Sequence, residues 1–213
     1  MKDKKQKEEI VIAIPKGFLH EGSYKYLSGL GINFSSEHVS GKNRALVFHD
    51  KKNNVKGLLV RPSDVNVYVE HGNADLGIVG LDLLKEQVPD VVKLKDLKFG
   101  KCKLVMAVRK DTKYKSANEL PANSRIATKF TKLANDFIHK NGITAEIIKL
   151  YGSVELAPIV GLSDAIIDLV ATGATLKANN LVIIENILES TAILIANSVS
   201  YKLKKPRMAE LGI

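Results

Sequence analysis

The stretch Asp164-Ala-Ile-Ile-Asp168-Leu-Val-Ala-Thr172-Gly173-Ala-Thr175-Leu-Lys-Ala-Asn-Asn-Leu181 constrains this chain more than any other. Ala165 to Val170 is an apolar run that predicts a buried strand. It ends in Thr-Gly-x-Thr, and a short segment able to form a helix follows. A strand that breaks at glycine before a helix gathers unpaired backbone N–H groups at the positive end of the helix dipole, which is an anion site. Thr172 and Thr175 add hydroxyl donors, and Gly173 lets the backbone approach a ligand closely. Asp168 stands just before the loop, where a carboxylate can accept hydrogen bonds from sugar hydroxyls. Phosphate and diol side by side point to a phosphoribosyl group. The same letters also fit an ordinary strand-to-helix turn capped by threonine.

Strand and helix patterns alternate along the rest of the chain, which predicts an α/β architecture. Strands are expected at Ile10–Ile14, Arg44–His49, Gly57–Arg61, Asp75–Val79, Lys103–Val108, Arg125–Thr128, Glu146–Leu150, Asp164–Val170, Leu181–Ile187 and Thr191–Ala196. Helices are expected from Gly17 to about Leu30, at Ser63–His71, from Leu81, at Lys129–Asn141 and at Gly152–Val160. The polar run Lys51-Lys-Asn-Asn54 reads as a hairpin turn. Ser116 and Glu119 have capping-box spacing, but Pro121 leaves room for only about a turn of helix. The pattern rebuilds a sheet twice, giving lobe I (1–98 plus 190–213) and lobe II (99–189). Two α/β lobes joined by crossing segments form a cleft, and clefts hold ligands.

Charge and cysteine usage narrow the function classes. The chain has 213 residues, 45% hydrophobic and 26% charged, as in an ordinary globular protein. The longest apolar candidate for a membrane span, Leu181–Val199, is interrupted by Glu185 and Glu189. Met1–Glu9 is charged and lacks the apolar core of a secretory signal. The single Cys102 fits a reducing, cytoplasmic location. The net charge of +9 is concentrated between Lys93 and Lys115, where nine Lys or Arg face two Asp, an excess of seven. Such a segment attracts polyanions or is simply a solvated face. With no tryptophan and few aromatics there is no stacking platform, so nucleic acid is not the expected partner.

Five glycine- or proline-marked strand ends occur in order: Pro15-Lys16-Gly17, Arg61-Pro-Ser-Asp64, Asp75-Leu-Gly77-Ile-Val-Gly80-Leu-Asp82, Gly152-Ser-Val-Glu155-Leu-Ala-Pro158, and the Thr-Gly-x-Thr loop. From about Ile10 to Val199 the chain resembles the ATP phosphoribosyltransferases, and more narrowly their short-form catalytic subunits. The resemblance implies two lobes similar to type II periplasmic binding proteins, with the active site in the inter-lobe cleft. It implies ATP and phosphoribosyl pyrophosphate as reactants, substrate-bound Mg2+ and no organic cofactor. It also implies a regulatory subunit resembling histidyl-tRNA synthetase and a homodimer of catalytic chains. Phe18, Leu81, Ala171, Ala174 and Thr131 depart from residues frequent in the family, and Phe18 and Leu81 each replace a cation. A solute-binding module of the same fold and a catalytically silent homologue are the alternatives.

The implied reaction is attack by N1 of adenine on C1 of the sugar, with pyrophosphate leaving. N1 carries a lone pair and no proton, which suits a sequence whose five histidines show neither triad nor metal spacing. The expected phosphate loop is Thr172, Gly173, Ala174, Thr175 and Leu176. Glu155 and Asp168 are expected at the ribose hydroxyls, and Asp82 at substrate or at a helix cap. Lys16, Arg44 and Arg61 are the expected cations for the leaving group, because an arginine fork grips phosphate oxygens in pairs. No residue is assigned to metal.

Overall fold

A computed structural model describes residues 8–35 and 45–213. The described chain divides into two compact units, Met1–Gly100 with Thr191–Ile213, and Lys101–Ser190. In chain order the strands are β1 (Ile10–Pro15), β2 (Val47–Asp50), β3 (Val55–Val60), β4 (Leu76–Gly80), β5 (Val91–Asp96), β6 (Cys102–Arg109), β7 (Ser124–Thr128), β8 (Ala145–Lys149), β9 (Ala165–Val170), β10 (Leu181–Ser190) and β11 (Ala192–Asn197). The α-helices are α1 (His20–Gly29), α2 (Val65–Glu70), α3 (Leu81–Gln87), α4 (Thr131–Lys140), α5 (Leu156–Ile159), α6 (Ala174–Ala178) and α7 (Ser198–Glu210).

The first unit holds a sheet of order β2-β3-β1-β4-β11-β5, and the second a sheet of order β10-β6-β9-β7-β8. β1 runs parallel to β3 and β4, and β7 runs parallel to β8 and β9. Side chains alternate across a strand, so Ile10, Ile12 and Ile14 fall on one face of the first sheet and Ala13 on the other. The isoleucine face packs with Tyr24 and Leu27 of α1 and Met208 of α7. The opposite face packs with Val65 and Val69 of α2. In the second unit Val105, Ala107 and Ile166 pack with Ala157 of α5 and Leu176 of α6. Each fully buried Ile or Leu contributes about 1.5–3 kcal/mol by leaving water.

Polar ties fix the strand ends. The Asp75 carboxylate is buried, accepts the Val11 N–H at 2.9 Å and meets the Lys204 ammonium at 3.0 Å. Asp96 ends β5 and accepts from the Lys98 N–H and the Thr191 hydroxyl, both at 2.9 Å. The Lys98 contacts, ahead of Thr191, hold its carboxyl down at about 2.

Several expectations change. Residues 36–44 lie outside the described structure, so the strand expected from Arg44 is described only from Val47. The helix expected over Gly152–Val160 shrinks to α5, four residues, because Ser153 takes a left-handed φ of 49° and the chain turns before Leu156. Ser116 makes no capping bond, and Glu119 accepts instead from the Lys115 N–H at 2.8 Å beside a 3-10 turn, Ala117–Glu119. β5 and α7 have no counterpart among the expected elements. α7 starts at an Asn197 cap whose side-chain oxygen accepts from Val199 and Ser200, and it tolerates Pro206 inside. The basic segment spans both units. It is partly neutralised by Lys98–Asp96, Lys103–Glu189 and Arg109–Asp111 pairs.

Gly77 lets α2 rest directly on the sheet. A Cβ there would lie 2.7 Å from a Val69 methyl and 2.8 Å from a Val65 methyl, both in buried side chains. Gly77→Ala should therefore cost about 1–3 kcal/mol through overpacking. Urea unfolding of the two proteins checks this, and an unchanged midpoint would mean that α2 gives way freely.

Candidate active site

The candidate site of the second unit forms where parallel strands end. β9 stops at Val170, and the chain turns through Ala171, Thr172 and Gly173 into α6. Gly173 is the N-cap and adopts φ 78°, a left-handed conformation that a side-chain-bearing residue holds only with strain. The Thr172 hydroxyl accepts weakly from the Ala174 N–H at 3.4 Å. The first turn of a helix leaves amide donors without carbonyl partners, and the residues of this turn line a pocket. That pocket has a volume of about 280 Å³ and is lined by Glu155, Asp168 and the continuous run Leu169–Leu176. Every second-unit residue expected at the site is thus brought together: Glu155, Asp168, Thr172, Gly173, Ala174, Thr175 and Leu176.

Asp168 projects near the carboxyl end of β9, with its side chain 23% exposed. Its Oδ1 accepts the Leu169 N–H at 2.8 Å, and the Lys129 ammonium lies 3.7 Å from the same oxygen. Burial, the largest influence, raises the Asp168 carboxyl above its usual range. Lys129 and the Leu169 amide pull it down, and the charge of Glu155 pushes it up. Lys129 is the site residue that sequence reading missed. It directly follows β7, and the parallel pairing of Thr128 with Ile167 sets it beside Asp168. Only the strand register carries that information. Tyr151, 88% exposed, follows β8 at the same edge of the sheet.

The first unit places its candidates at the carboxyl ends of its own parallel strands. Pro15 pairs with Val60, so Lys16 and Arg61 follow side by side, and the Lys16 N–H donates to the Val60 carbonyl at 2.9 Å. Both side chains are exposed. Phe18, in the next turn, is 64% exposed. Asp82 is buried in the first turn of α3, with its carboxylate folded back against Gly80, where a Cβ would collide with it. Arg44 lies outside the described residues. The histidines at 20, 49, 71 and 139 are dispersed over α1, β2, the turn after α2 and α4. Among the described residues no three His, Cys, Asp or Glu side chains gather into a metal-holding cluster. No described helix is long and apolar enough to cross a membrane.

Comparison with known proteins adds the family. Residues 61–212 match the family model described as ATP phosphoribosyltransferase. The ATP phosphoribosyltransferase of Crocosphaera subtropica is 49% identical over 203 residues, 95% of both chains. That of Rippkaea orientalis is 50% identical over 91% of this chain and 92% of its own. Among solved structures, the chain superimposes on an ATP phosphoribosyl transferase (HisG:HisZ) complex from Thermotoga maritima with TM-score 0.78 and 34% identity, covering 95% of this chain and 96% of that one. The alkanesulfonate-binding protein SsuA of Xanthomonas axonopodis pv. citri, 14% identical at TM-score 0.58, covers 95% of this chain and 71% of its own and shares the fold alone. The fold is accordingly the expected two-lobe α/β kind of the type II periplasmic binding proteins. A family match over most of the chain, and relatives about half identical over more than nine-tenths of it, make this chain a member of the ATP phosphoribosyltransferase family.

Proposed function

We propose that this chain transfers the phosphoribosyl group of phosphoribosyl pyrophosphate to N1 of ATP, giving phosphoribosyl-ATP and pyrophosphate, the first step of histidine biosynthesis. The observation that carries the residue roles is the single pocket shared by two carboxylates and a glycine-threonine loop, in a member of this family. The C1–N1 bond forms as the C1–oxygen bond to pyrophosphate breaks, and the leaving group takes the electron pair. No proton has to be removed from N1, so the protein's tasks are positioning and charge.

In this reading the 5′-phosphate sits in the Thr172–Thr175 turn, against amide donors and two hydroxyls. Glu155 and Asp168 hold the ribose hydroxyls, and their charge favours the cationic ribose that develops as the bond to pyrophosphate lengthens. Lys16 and Arg61 are the proposed partners of phosphoryl oxygens, with Arg44 the further candidate. Magnesium is proposed to arrive on the pyrophosphate of the substrate and to neutralise charge there. Asp82 is kept as a substrate contact only through the first turn of α3, because its carboxylate is buried.

The proposed partner is a regulatory subunit resembling histidyl-tRNA synthetase. The superimposable Thermotoga maritima protein is part of a HisG:HisZ complex, which supports that choice. A homodimer of catalytic chains is part of the same proposal, as is a cytoplasmic location. The direct test is pyrophosphate release from ATP and phosphoribosyl pyrophosphate, with and without the regulatory subunit. Release must require both substrates. Substrate binding without any release, subunit present, would return the chain to a binding module or a silent homologue.

Two substitutions test the roles. Gly173→Val forces a branched residue into the left-handed region, a strain on the order of 1–3 kcal/mol that the turn relieves by moving. The protein should fold but lose calorimetric binding of phosphoribosyl pyrophosphate, and normal binding would contradict the loop assignment. Arg61→Ala should lower the single-turnover rate about 100-fold or more, with substrate affinity changed far less. An unchanged single-turnover rate would remove Arg61 from the leaving group.

A further inference from the structure

We propose that Lys129 is a positioning residue for the transfer, holding Asp168 as an oriented carboxylate with one oxygen turned to the ribose diol. This rests on the reading of the second-unit pocket as the phosphoribosyl site. The backbone on both sides of Lys129 is fixed to the strand that carries Asp168. The buried Thr128 hydroxyl donates to the Ile167 carbonyl at 2.6 Å and accepts the Phe130 N–H at 2.9 Å. Thr128 is therefore bonded to the residue before Asp168, and Phe130 is 2% exposed. These two anchors fix the backbone from which the Lys129 ammonium extends. It lies 5.0 Å from the centre of the Phe130 ring, whose face attracts the cation, and 3.7 Å from Asp168 Oδ1.

Both contacts to the Asp168 carboxylate, the Leu169 amide and Lys129, meet Oδ1. Neither of these contacts falls on Oδ2, and Asp168 lines the pocket. The charged groups facing Asp168 are Lys129, from the corner between β7 and α4, and Glu155, from the turn before α5. β6 lies alongside and pairs apolar Val105 with Asp168. Among the described residues Lys129 is thus the cation set against burial and a second carboxylate. Without it the Asp168 carboxyl would protonate at higher pH, and a protonated carboxyl is a poorer acceptor and no longer favours a cationic ribose. Lys129 acts through Asp168 and not through the substrate.

The test uses the full chain with its regulatory subunit and four variants: Lys129→Met, Lys129→Arg, Asp168→Asn and the double variant Lys129→Met with Asp168→Asn. Circular dichroism reports folding of each. Lys129→Met should lower kcat/KM for phosphoribosyl pyrophosphate about tenfold at neutral pH, the loss of one charge-assisted contact. Its acid limb of kcat/KM should move to higher pH, so that the deficit narrows as pH rises. Lys129→Arg should restore both. In the double variant the lysine substitution should cost nothing beyond Asp168→Asn alone. An acid limb that stays in place in Lys129→Met overturns the proposal, as does full additivity in the double variant, which would put Lys129 on the substrate itself. Wild-type kcat/KM in Asp168→Asn would sink the pocket reading beneath it, an outcome distinct from an impaired Asp168→Asn beside an unaffected Lys129→Met.

Discussion

A carboxylate set into the central strand of a sheet is costly, and the second unit is arranged around that cost. Asp168 lies in β9 with most of its side chain covered, and an ionised group in that position is disfavoured by the loss of water. Three neighbours decide whether it can stay charged. The Leu169 N–H and Lys129 favour the anion, and Glu155 opposes it. Their positions follow from strand order. Because β7 and β8 run parallel to each other and β7 to β9, the residues that leave all three strands emerge at one edge. Lys129, the Tyr151–Glu155 turn and the Thr-Gly-x-Thr turn come from those three exits. A site of this kind needs no long side chains reaching across the unit, and ligands in open α/β sheets gather at this edge for the same reason.

The first unit applies the same rule to cations. Lys16 and Arg61 follow paired residues of β1 and β3, so two positive side chains are delivered together by backbone register alone. Gly80 ends the neighbouring β4, where only a missing side chain leaves room for the Asp82 carboxylate to fold back. The tie between Asp75, Val11 and Lys204 then joins β4, the start of β1 and α7. Packing and polar ties therefore do different work here. Apolar faces hold the helices on the sheet, and buried hydrogen bonds fix where strands begin and end.

What could be read directly from the sequence was whatever breaks sharply. β4 and β9 are short apolar runs stopped at or shortly before a glycine, and both appear within a residue or so of where they were expected. Of the helical face that spacing predicts, Phe130, Leu133, Ala134 and Ile138 are buried and Phe137 is half-buried. β5 escaped because Val-Val-Lys-Leu-Lys-Asp alternates lysine with apolar residues at a sheet edge, so its charge reads as surface before its period reads as strand. α7 escaped because lysines crowd it and Pro206 sits inside it, while its real signal was the Asn197 cap. The short α5 was overestimated because a left-handed Ser153 is invisible in letters. Lys129 was read as the start of a helix. Its contact with Asp168, 39 residues away in sequence, exists only through the pairing of β7 with β9.

The pairing of Glu155 with Asp168 has a chemical consequence beyond hydrogen bonding. Two nearby carboxylates raise the cost of holding both charges, and a fixed lysine offsets only part of it. A ligand that develops positive charge between them relieves the remainder, so the interaction is stronger in the transition state than with the neutral sugar. Interactions of that kind accelerate a reaction, whereas uniform binding does not. A donor whose anionic end is captured at the Gly173 turn, and whose ribose becomes cationic as pyrophosphate departs, has the charge distribution this pocket favours. The lysine then has a limited task. In the proposed transfer it keeps Asp168 ionised before the sugar arrives and leaves unbalanced negative charge for the reacting carbon to meet.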